Sequence, residues 1–382
     1  MRRFTLLATC LLAASCASES DVSQCEEATD LISSCYGEEA ASSYQCDPET
    51  AGNIADKTCS ELSDIESKSD LSLCSVFGIF CPADPIFADP QGTATQFPLV
   101  LAHGFNGSPE NEWGVHPDIV AELRADGHQV YVARVAPFQS VSVRGQQLAD
   151  EIDRALAEFG AEKVNIIAHS MGGLDSRFAI SSLDYASKVS SLTTISTPHH
   201  GTQVADAALG LIPGKLDAGI DAVVSAFATT FTTDELANDS ELRAAFESLS
   251  EASLLEFNKT VLDADSVYYQ SWAGLSNVAR ISGFGEKEAC QEGGGEWHFS
   301  DDARDHMDAR LVLGAALVAH GTALLPNDGM ATVASARWGD FRGCVPADHY
   351  DEVGQVGPQR ATGFDAMNFY RTIAFELTVR GF

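Results

Sequence analysis

A serine set between a β-type apolar run and two glycines is the feature that most constrains the fold of this chain. Residues 164–173 read Val-Asn-Ile-Ile-Ala-His-Ser-Met-Gly-Gly. This pattern predicts a buried strand that delivers Ser170 into a sharp turn at positive φ, followed by a helix from about Gly172. Such a turn needs small residues two before and two after the serine, and Ala168 and Gly172 meet that condition. Because Ala168 stands where most such turns have glycine, two interpretations stay open: a nucleophile elbow, or a small-residue strand–helix turn without chemistry.

A nucleophilic serine needs a histidine base and a carboxylate that orients it, and after an elbow these follow in the order Asp or Glu, then His. Asp328 lies in a turn, Asn-Asp-Gly, although this tripeptide is also an ordinary turn signal. Among the histidines well beyond the elbow, His349 alone follows Asp328. Chain order therefore predicts a triad of Ser170, Asp328 and His349.

Two backbone amides are expected to bind the oxyanion of the reaction. The apolar run Phe97–Ala102 leads into His-Gly-Phe-Asn-Gly, a pattern typical of a buried parallel strand that opens into a glycine-flexed loop. We expect the first donor to be the N–H of Phe105 and the second that of Met171, directly after the nucleophile. His103 is interpreted as a structural histidine that braces the loop.

Apolar strands alternate with amphipathic helices from residue 95 onward, which predicts one α/β domain over 95–382 with a mainly parallel, helix-covered sheet. One predicted helix is Val143–Phe159. Catalytic loops should gather at the carboxyl ends of the strands. The predicted strands are Pro98–Ala102, Gln129–Ala133, Val164–Ala168, Ser191–Ser196 and Ser266–Trp272.

Six segments in register resemble the Pseudomonas and Burkholderia family of bacterial triacylglycerol lipases, which have the α/β-hydrolase fold. The match runs over about residues 95–380. The segments are Phe97–Asn106, the Ala-His-Ser-Met-Gly elbow, Ser-Thr-Pro-His-His-Gly at 196–201, Tyr-Gln-Ser-Trp at 269–272, Asn-Asp-Gly at 327–329 and His-Tyr-Asp-Glu-Val at 349–353.

The resemblance implies a serine ester hydrolase that acts on triacylglycerol through an acyl-enzyme, with Ser170, Asp328 and His349 as the triad and Phe105 and Met171 at the oxyanion. A carboxylesterase, phospholipase or polyester hydrolase on the same fold remains an alternative, because a triad does not select the acyl chain. An alternative of another class is an inactive surface-binding lipoprotein.

A structural calcium ion is also implied by the resemblance. In that family two aspartate side chains and two backbone carbonyls near the catalytic histidine hold the ion. The matching aspartates here are Asp308 and Asp351, and Gln355 and Gln359 fall where the carbonyl donors would lie. Oxygen ligands of this kind suit Ca²⁺. The alternative is that Asp351 is simply solvated in an acidic loop.

The resemblance further implies a disulfide near the site and a mobile lid. Cys290 and Cys344 are the only cysteines in the hydrolase portion, although Cys290 follows the Tyr-Gln-Ser-Trp segment that the family cysteine precedes; two free thiols are the alternative. No strand is evident between Gln203 and Phe257, and the apolar stretch Ile212–Phe231 matches the lid, although a helix with a buried stripe has the same pattern. The expected lid anchors are Leu211, Phe227 and Phe231.

The first ninety residues read as an exported N-terminus with its own disulfide framework. Residues 1–15 have the charged and apolar regions of a signal peptide, and Leu-Ala-Ala-Ser-Cys, which resembles a lipobox ending at Cys16, predicts the lipoprotein type. Ordinary cleavage and free secretion are the alternative to lipidation of Cys16 and anchoring at the outer membrane or cell surface. Six cysteines within 16–94 predict three disulfides, in any of fifteen pairings. They are Cys25, Cys35, Cys46, Cys59, Cys74 and Cys81.

Composition excludes one partner class and leaves others open. A formal charge of −32 argues against binding to nucleic acid and against simple electrostatic attraction to anionic lipid. The expected partner is a lipid or ester substrate at an interface. The Cys-rich segment can be a spacer, a surface-binding module or a stabilising cap. Some members of the resembled family require a folding chaperone, so a chaperone is a further possible partner.

Overall fold

The structure is a computed structural model that describes residues 85–105, 114–215, 240–278, 285–299, 305–320, 323–355 and 362–382, together with Asp30, Leu31 and Ser34. The chain divides into two units, Met1–Pro82 and Ala83–Phe382, and the fold described below belongs to the second. The predictions for the signal peptide, for lipidation of Cys16 and for the six N-terminal cysteines lie outside the described residues.

A parallel sheet of seven described strands forms the centre of this unit. Its spatial order is β2-β1-β3-β4-β5-β7-β6, and each neighbouring pair runs parallel. The strands are β1 Leu99–Ala102, β2 Val130–Val132, β3 Val164–His169, β4 Val189–Ile195, β5 Tyr268–Gly274, β6 Glu296–Trp297 and β7 Asp340–Val345. Every residue of β1, β3 and β4 is buried, as expected for strands covered by helices on both faces.

Helices and short 3₁₀ turns connect these strands. The described α-helices are α1 Pro117–Ala125, α2 Val141–Phe159, α3 Met171–Ser182, α4 Gln203–Ala208, α5 Ser240–Leu249, α6 Glu251–Thr260, α7 Glu286–Gln291, α8 Val312–Val318, α9 Val333–Ala336 and α10 Ala366–Val379. The longest of them, α2, begins after the N-cap Ser140, whose hydroxyl accepts from the Val143 N–H, and ends at Gly160 in the left-handed conformation.

The period-2 alternation of the strands supplies a core on each face of the sheet. Leu99 and Leu101 of β1 pack on one side with α1 and α10, whereas Val100 and Ala102 pack on the other side with α2. Parallel strands joined by helices leave their carboxyl ends along one edge of the sheet. Loops that follow β1, β3, β4, β5 and β7 therefore meet there.

The α/β-hydrolase architecture predicted from the sequence is confirmed, and all five predicted strands are present with ends shifted by a few residues. The predicted helix Val143–Phe159 begins two residues earlier, at Val141. Strands β6 and β7 were not predicted. In β7 the exposed Asp340 and the half-buried Arg342 interrupt any apolar run, so its sequence lacks a strand signal.

The lid prediction is only partly covered by the described residues. Leu211 is exposed, with a relative accessibility of 58 % for the whole residue, whereas Phe227 and Phe231 lie outside the described residues. Helices α4, α5 and α6 occupy the described parts of the predicted lid region, Gln203–Phe257. In the described part of the chain, no helix combines the length and the apolar character needed to cross a membrane.

Candidate active site

Ser170 occupies the sharp turn between β3 and α3. Its φ is +53°, in the left-handed region that L-residues rarely adopt, and its N–H donates to the carbonyl of Ile195 on β4 at 2.9 Å. The Thr197 hydroxyl donates to the Ser170 carbonyl at 2.7 Å. A Cβ at Gly172 would lie 2.7 Å from the carbonyl oxygens of Ala102 and His103, so this position admits no side chain. The predicted elbow geometry is thus confirmed, with the helix starting at Met171.

The loops after α8 and β7 bring the other two predicted triad residues to this serine. His349 Nε2 lies 3.0 Å from Ser170 Oγ, and His349 Nδ1 lies 2.7 Å from Asp328 Oδ2. The second oxygen of Asp328 accepts the N–H groups of Met330 and Ala331, and the Asp328 carbonyl accepts the N–H of His349. Asp328 is fully buried. This arrangement holds one imidazole nitrogen against a carboxylate and aims the other at the serine hydroxyl, the geometry of proton transfer in acyl-transfer enzymes.

The loop after β1 lies against the nucleophile. A Cβ at Gly104 would lie 2.6 Å from the Ser170 Cβ, so only glycine allows this approach. The Phe105 ring is held between Phe138 and Phe246, with ring centroids 5.2 Å away on each side. The loop therefore keeps Phe105 beside Ser170, where the sequence places the first oxyanion donor. Met171, the predicted second donor, is the first residue of α3.

His103 is a buried structural histidine in this loop, in agreement with its interpretation from the sequence. Its Nδ1 lies 3.0 Å from the Gly104 carbonyl, and its Nε2 accepts from the N–H of Val135. Burial and the neighbouring Arg144 guanidinium lower the pKa of His103 to about 3, so the ring is neutral at physiological pH.

Arg144 is a supporting residue that the sequence did not reveal. It is fully buried on α2, and its Nη2 donates to the carbonyls of His103 and Gly104 at 2.9 and 3.2 Å. Its Nε donates to Asp175 of α3 at 2.8 Å. An arginine within an amphipathic helix normally signals a solvated face, so this one carries no distinguishing signal in the sequence.

An apolar cavity opens at Ser170 and His349. Its wall comes from the loop after β1, from α4 and α5, and from the loop that follows Asp328. The apolar side chains lining it are Phe105, Pro198, Val204, Ala205, Phe246, Leu249, Met330 and Ala331. Its apolar lining suits an apolar chain attached to a group at the serine.

Three buried carboxylates gather beside the catalytic histidine loop. Asp305, Asp348 and Asp351 each offer an oxygen within 4.8 Å of the others. Burial, together with the charge of Asp348, raises the pKa of Asp305 to about 7, and neither Asp305 oxygen makes a hydrogen bond of ordinary geometry among the described residues. Asp348 accepts the N–H groups of Asp308, Tyr350 and Asp351 and so closes the loop.

The carboxylate of Asp308, a predicted metal ligand, is not part of this group. It binds the Arg310 guanidinium through both oxygens at 2.8 Å, and these hydrogen bonds lower the pKa of Asp308. The structure thus groups the carboxylate of Asp351 with that of Asp305 rather than with that of Asp308. The two alternative residues lie three positions apart in the same irregular loop. The side chain of Gln355 donates to the Gly114 carbonyl, and Gln359 lies outside the described residues.

Cys290 and Cys344 form a disulfide, with Cα atoms 5.3 Å apart, so the predicted pairing is present. The bridge joins α7 to β7, and both cysteines are fully buried. Because β7 leads into the loop that carries His349, the disulfide anchors the strand behind the catalytic histidine.

Comparisons with known proteins show the same fold. A family model described as alpha/beta hydrolase fold matches residues 98–274. The triacylglycerol lipase of Burkholderia plantarii is 27 % identical over 343 residues, which cover 81 % of this chain and 94 % of that protein. The triacylglycerol lipase of Vibrio cholerae is 28 % identical over 310 residues, covering 76 % of this chain and 90 % of that protein.

Two solved structures share the architecture at low sequence identity. The Staphylococcus hyicus lipase superposes with a TM-score of 0.50 at 17 % identity, covering 77 % of this chain and 98 % of that chain. A metagenomic carboxyl esterase superposes with a TM-score of 0.51 at 16 % identity, covering 76 % and 78 %. At such identities the likeness concerns the fold alone.

Proposed function

We propose that this α/β-hydrolase, a carboxylic ester hydrolase related to bacterial triacylglycerol lipases, cleaves acylglycerols with Ser170 as its nucleophile. The observation that carries the proposal is an apolar cavity that opens at a serine hydroxyl 3.0 Å from an imidazole. The relatives named triacylglycerol lipase supply the substrate class.

The chemistry follows from the positions of three side chains. His349 Nε2 accepts the Ser170 hydroxyl proton as Oγ attacks the ester carbonyl, and Asp328 holds the Nδ1–H tautomer and stabilises the imidazolium. The N–H groups of Phe105 and Met171 would donate to the oxyanion; the loss of one such donor typically costs about 2.7–4 kcal/mol. His349 then protonates the leaving alcohol, and the same imidazole activates the water that hydrolyses the acyl-enzyme.

The test is hydrolysis of p-nitrophenyl esters of increasing acyl length and of emulsified triglyceride by the purified chain. Ser170→Ala should lower kcat by roughly a million-fold, whereas Ser182→Ala, at the exposed end of α3, is the matched control. Activity that rises on long-chain esters above their solubility limit supports a lipase. Short-chain activity indifferent to the interface would favour a carboxylesterase, and a Ser170→Ala variant within tenfold of wild type would contradict the assignment.

We also propose a structural Ca²⁺ held by the carboxylates of Asp305 and Asp351. Buried carboxylates that repel one another fit a hard divalent cation, and neither oxygen of Asp305 makes a hydrogen bond of ordinary geometry among the described residues. Asp348 would brace the site through its hydrogen bonds to the loop backbone. When bound, the ion would neutralise this charge and fix the loop that carries His349.

Thermal unfolding in Ca²⁺ and in chelator tests the ion independently of activity. Calcium should raise the Tm of the wild type and of Asp308→Asn, because Asp308 is bound by Arg310 instead. It should leave the Tm of Asp305→Asn unchanged, because that variant lacks one proposed ligand. A ligand at a hundred times its Kd stabilises the folded state by about 2.7 kcal/mol. Equal Tm values for the wild type in calcium and chelator would refute the site.

Export and lipidation remain part of this proposal. The signal-type residues 1–15 and the lipobox-like sequence before Cys16 support transfer across a membrane, followed by anchoring of the new N-terminus. Incorporation of labelled palmitate into the wild type, and its loss in Cys16→Ser, is the expected result. An unlabelled wild-type protein recovered entirely from the medium would instead indicate free secretion.

A further inference from the structure

A buried glutamate lies behind the catalytic histidine loop and is not used by the triad. Glu352, three residues after His349, is fully buried in the 3₁₀ turn Asp351–Val353. One of its carboxyl oxygens accepts the hydroxyl of Ser196 at 2.5 Å, and the other lies 3.1 Å from His169 Nε2. His169 is the residue directly before the nucleophile. This carboxyl group therefore links the histidine loop to the ends of β3 and β4.

The backbone around Glu352 is shaped to admit its carboxyl group. Ser196 has a φ of +45° and directs its hydroxyl at the carboxyl, while the same hydroxyl accepts the N–H of Gly274 at 2.9 Å. A Cβ at Gly274 would lie 1.8 Å from Glu352 Oε1 and 2.6 Å from the Ala347 carbonyl. The last residue of β5 must therefore be glycine, and three strand ends converge on a single carboxyl group.

His169 connects this carboxyl group to the catalytic histidine. The centroids of the two imidazole rings lie 4.4 Å apart and the ring planes are inclined at 45°, so the His169 ring packs against that of His349. Because Nε2 faces Glu352 at 3.1 Å, the carboxyl group holds the His169 ring in this orientation.

We propose that Glu352 and His169 form a positioning pair for His349. Asp328 already holds the His349 backbone N–H and Nδ1, and the His169 ring, itself held by Glu352, supports one face of the His349 imidazole. The imidazole is thereby kept at hydrogen-bond distance from Ser170 Oγ. Neither residue of the pair exchanges a proton with the substrate. This inference rests on the proposed function of the Ser170 site.

Replacement of Glu352 by a matched polar and a matched apolar residue tests the pair. Glutamine retains both contacts, because its carbonyl can accept from Ser196 and its amide can donate to His169 Nε2. Leucine retains the volume and loses both. On a soluble p-nitrophenyl ester we expect Glu352→Leu to lower kcat about 10- to 100-fold with KM within about twofold, as small misplacements of a catalytic group do. Glu352→Gln should stay within about threefold of the wild type.

A second variant keeps the inference testable if Glu352→Leu does not fold. His169→Gln can still contact Glu352 but lacks the ring that packs against the His349 imidazole, so its kcat should also fall at least about tenfold. Wild-type kcat in His169→Gln, or equal kcat losses in Glu352→Gln and Glu352→Leu, would overturn the positioning role. If the wild type itself does not hydrolyse the ester, the proposed function fails rather than the pair.

Discussion

Substitution of Arg144 should lower both the stability of the fold and kcat, and a second substitution at Asp175 should separate these two effects. Its guanidinium pairs with Asp175 at 2.8 Å, with exposures of 0 % and 1 %, and also donates to the carbonyls of His103, Gly104 and Ala136. Arg144→Met keeps most of the side-chain volume but leaves the Asp175 carboxylate buried without its cation. Breaking a buried ion pair from one side typically costs about 3–5 kcal/mol, so we expect the free energy of unfolding to fall by that amount.

Arg144→Met/Asp175→Leu removes the unpaired charge as well. Because apolar replacement of both partners of a buried pair is often close to neutral, the double variant should recover much of the stability lost in the single variant. It should not recover activity, since the carbonyls of the oxyanion loop still lack their donor and the loop that positions Phe105 is freed. We expect kcat to remain lowered about a hundredfold in both variants, of the order seen when an oxyanion donor is lost.

Urea unfolding and p-nitrophenyl ester kinetics measure the two effects on the same samples. Leu148→Ala, at another buried position on α2, is the control for lost packing, because it should lower stability without touching the oxyanion loop. A double variant that regains wild-type kcat would show that Arg144 acts through Asp175 alone. A single variant destabilised by less than about 1 kcal/mol would refute the buried-pair argument itself.

Three further predictions concern the supports of the site. Removal of the disulfide in Cys290→Ala/Cys344→Ala should destabilise the fold by about 4 kcal/mol on the chain-entropy scale for 54 residues of separation, measured by urea unfolding; a loss below about 1 kcal/mol would contradict it. Because the pKa of buried His103 is about 3 in the folded state and near 6.5 when unfolded, its contribution to stability is lost as pH falls from about 6.5 towards 3. His103→Gln should therefore abolish about 2 kcal/mol of the stability loss between pH 7 and pH 5, and unchanged pH dependence in this variant would refute the assignment. Gly104→Ala should lower kcat at least about tenfold, because its methyl group would displace the oxyanion loop from Ser170; wild-type kinetics would show that the loop tolerates the shift.

The strands and turns with a strong local sequence pattern were predictable from the sequence. β1 is a continuous apolar run, β3 is apolar except for Asn165 and His169, and β4 combines aliphatic residues with Ser and Thr. Each triad residue stands in or beside a recognisable turn motif. The order of residues along the chain was enough to predict that Asp328 and His349 lie beside Ser170. These predictions succeed because a parallel sheet gathers the carboxyl ends of its strands along one edge, whatever the loop conformations.

Residues whose role depends on loop conformation were not predictable in this way. Asp305 and Asp308 lie in one irregular stretch, and only the folded loop shows that Arg310 binds the second while the first turns toward Asp351. Glu352 stands in a run of acidic and polar residues that normally signals a solvated loop. Its burial depends on the glycine at Gly274, far away in the chain, which leaves the space for its carboxyl group.

The two small residues near the nucleophile, Ala168 and Gly172, are needed for different physical reasons. This explains why glycine is not required at both positions. Gly172 faces the carbonyls of Ala102 and His103 at distances that no Cβ could accept. Ala168 lies within β3, where its methyl group is fully buried and packs in the same cluster as Val100 and Leu192. A glycine there would remove packing and add unfolded-state entropy without relieving a clash. The elbow therefore demands glycine after the serine, where a Cβ would meet the β1 backbone, and accepts the methyl group of Ala168 before it.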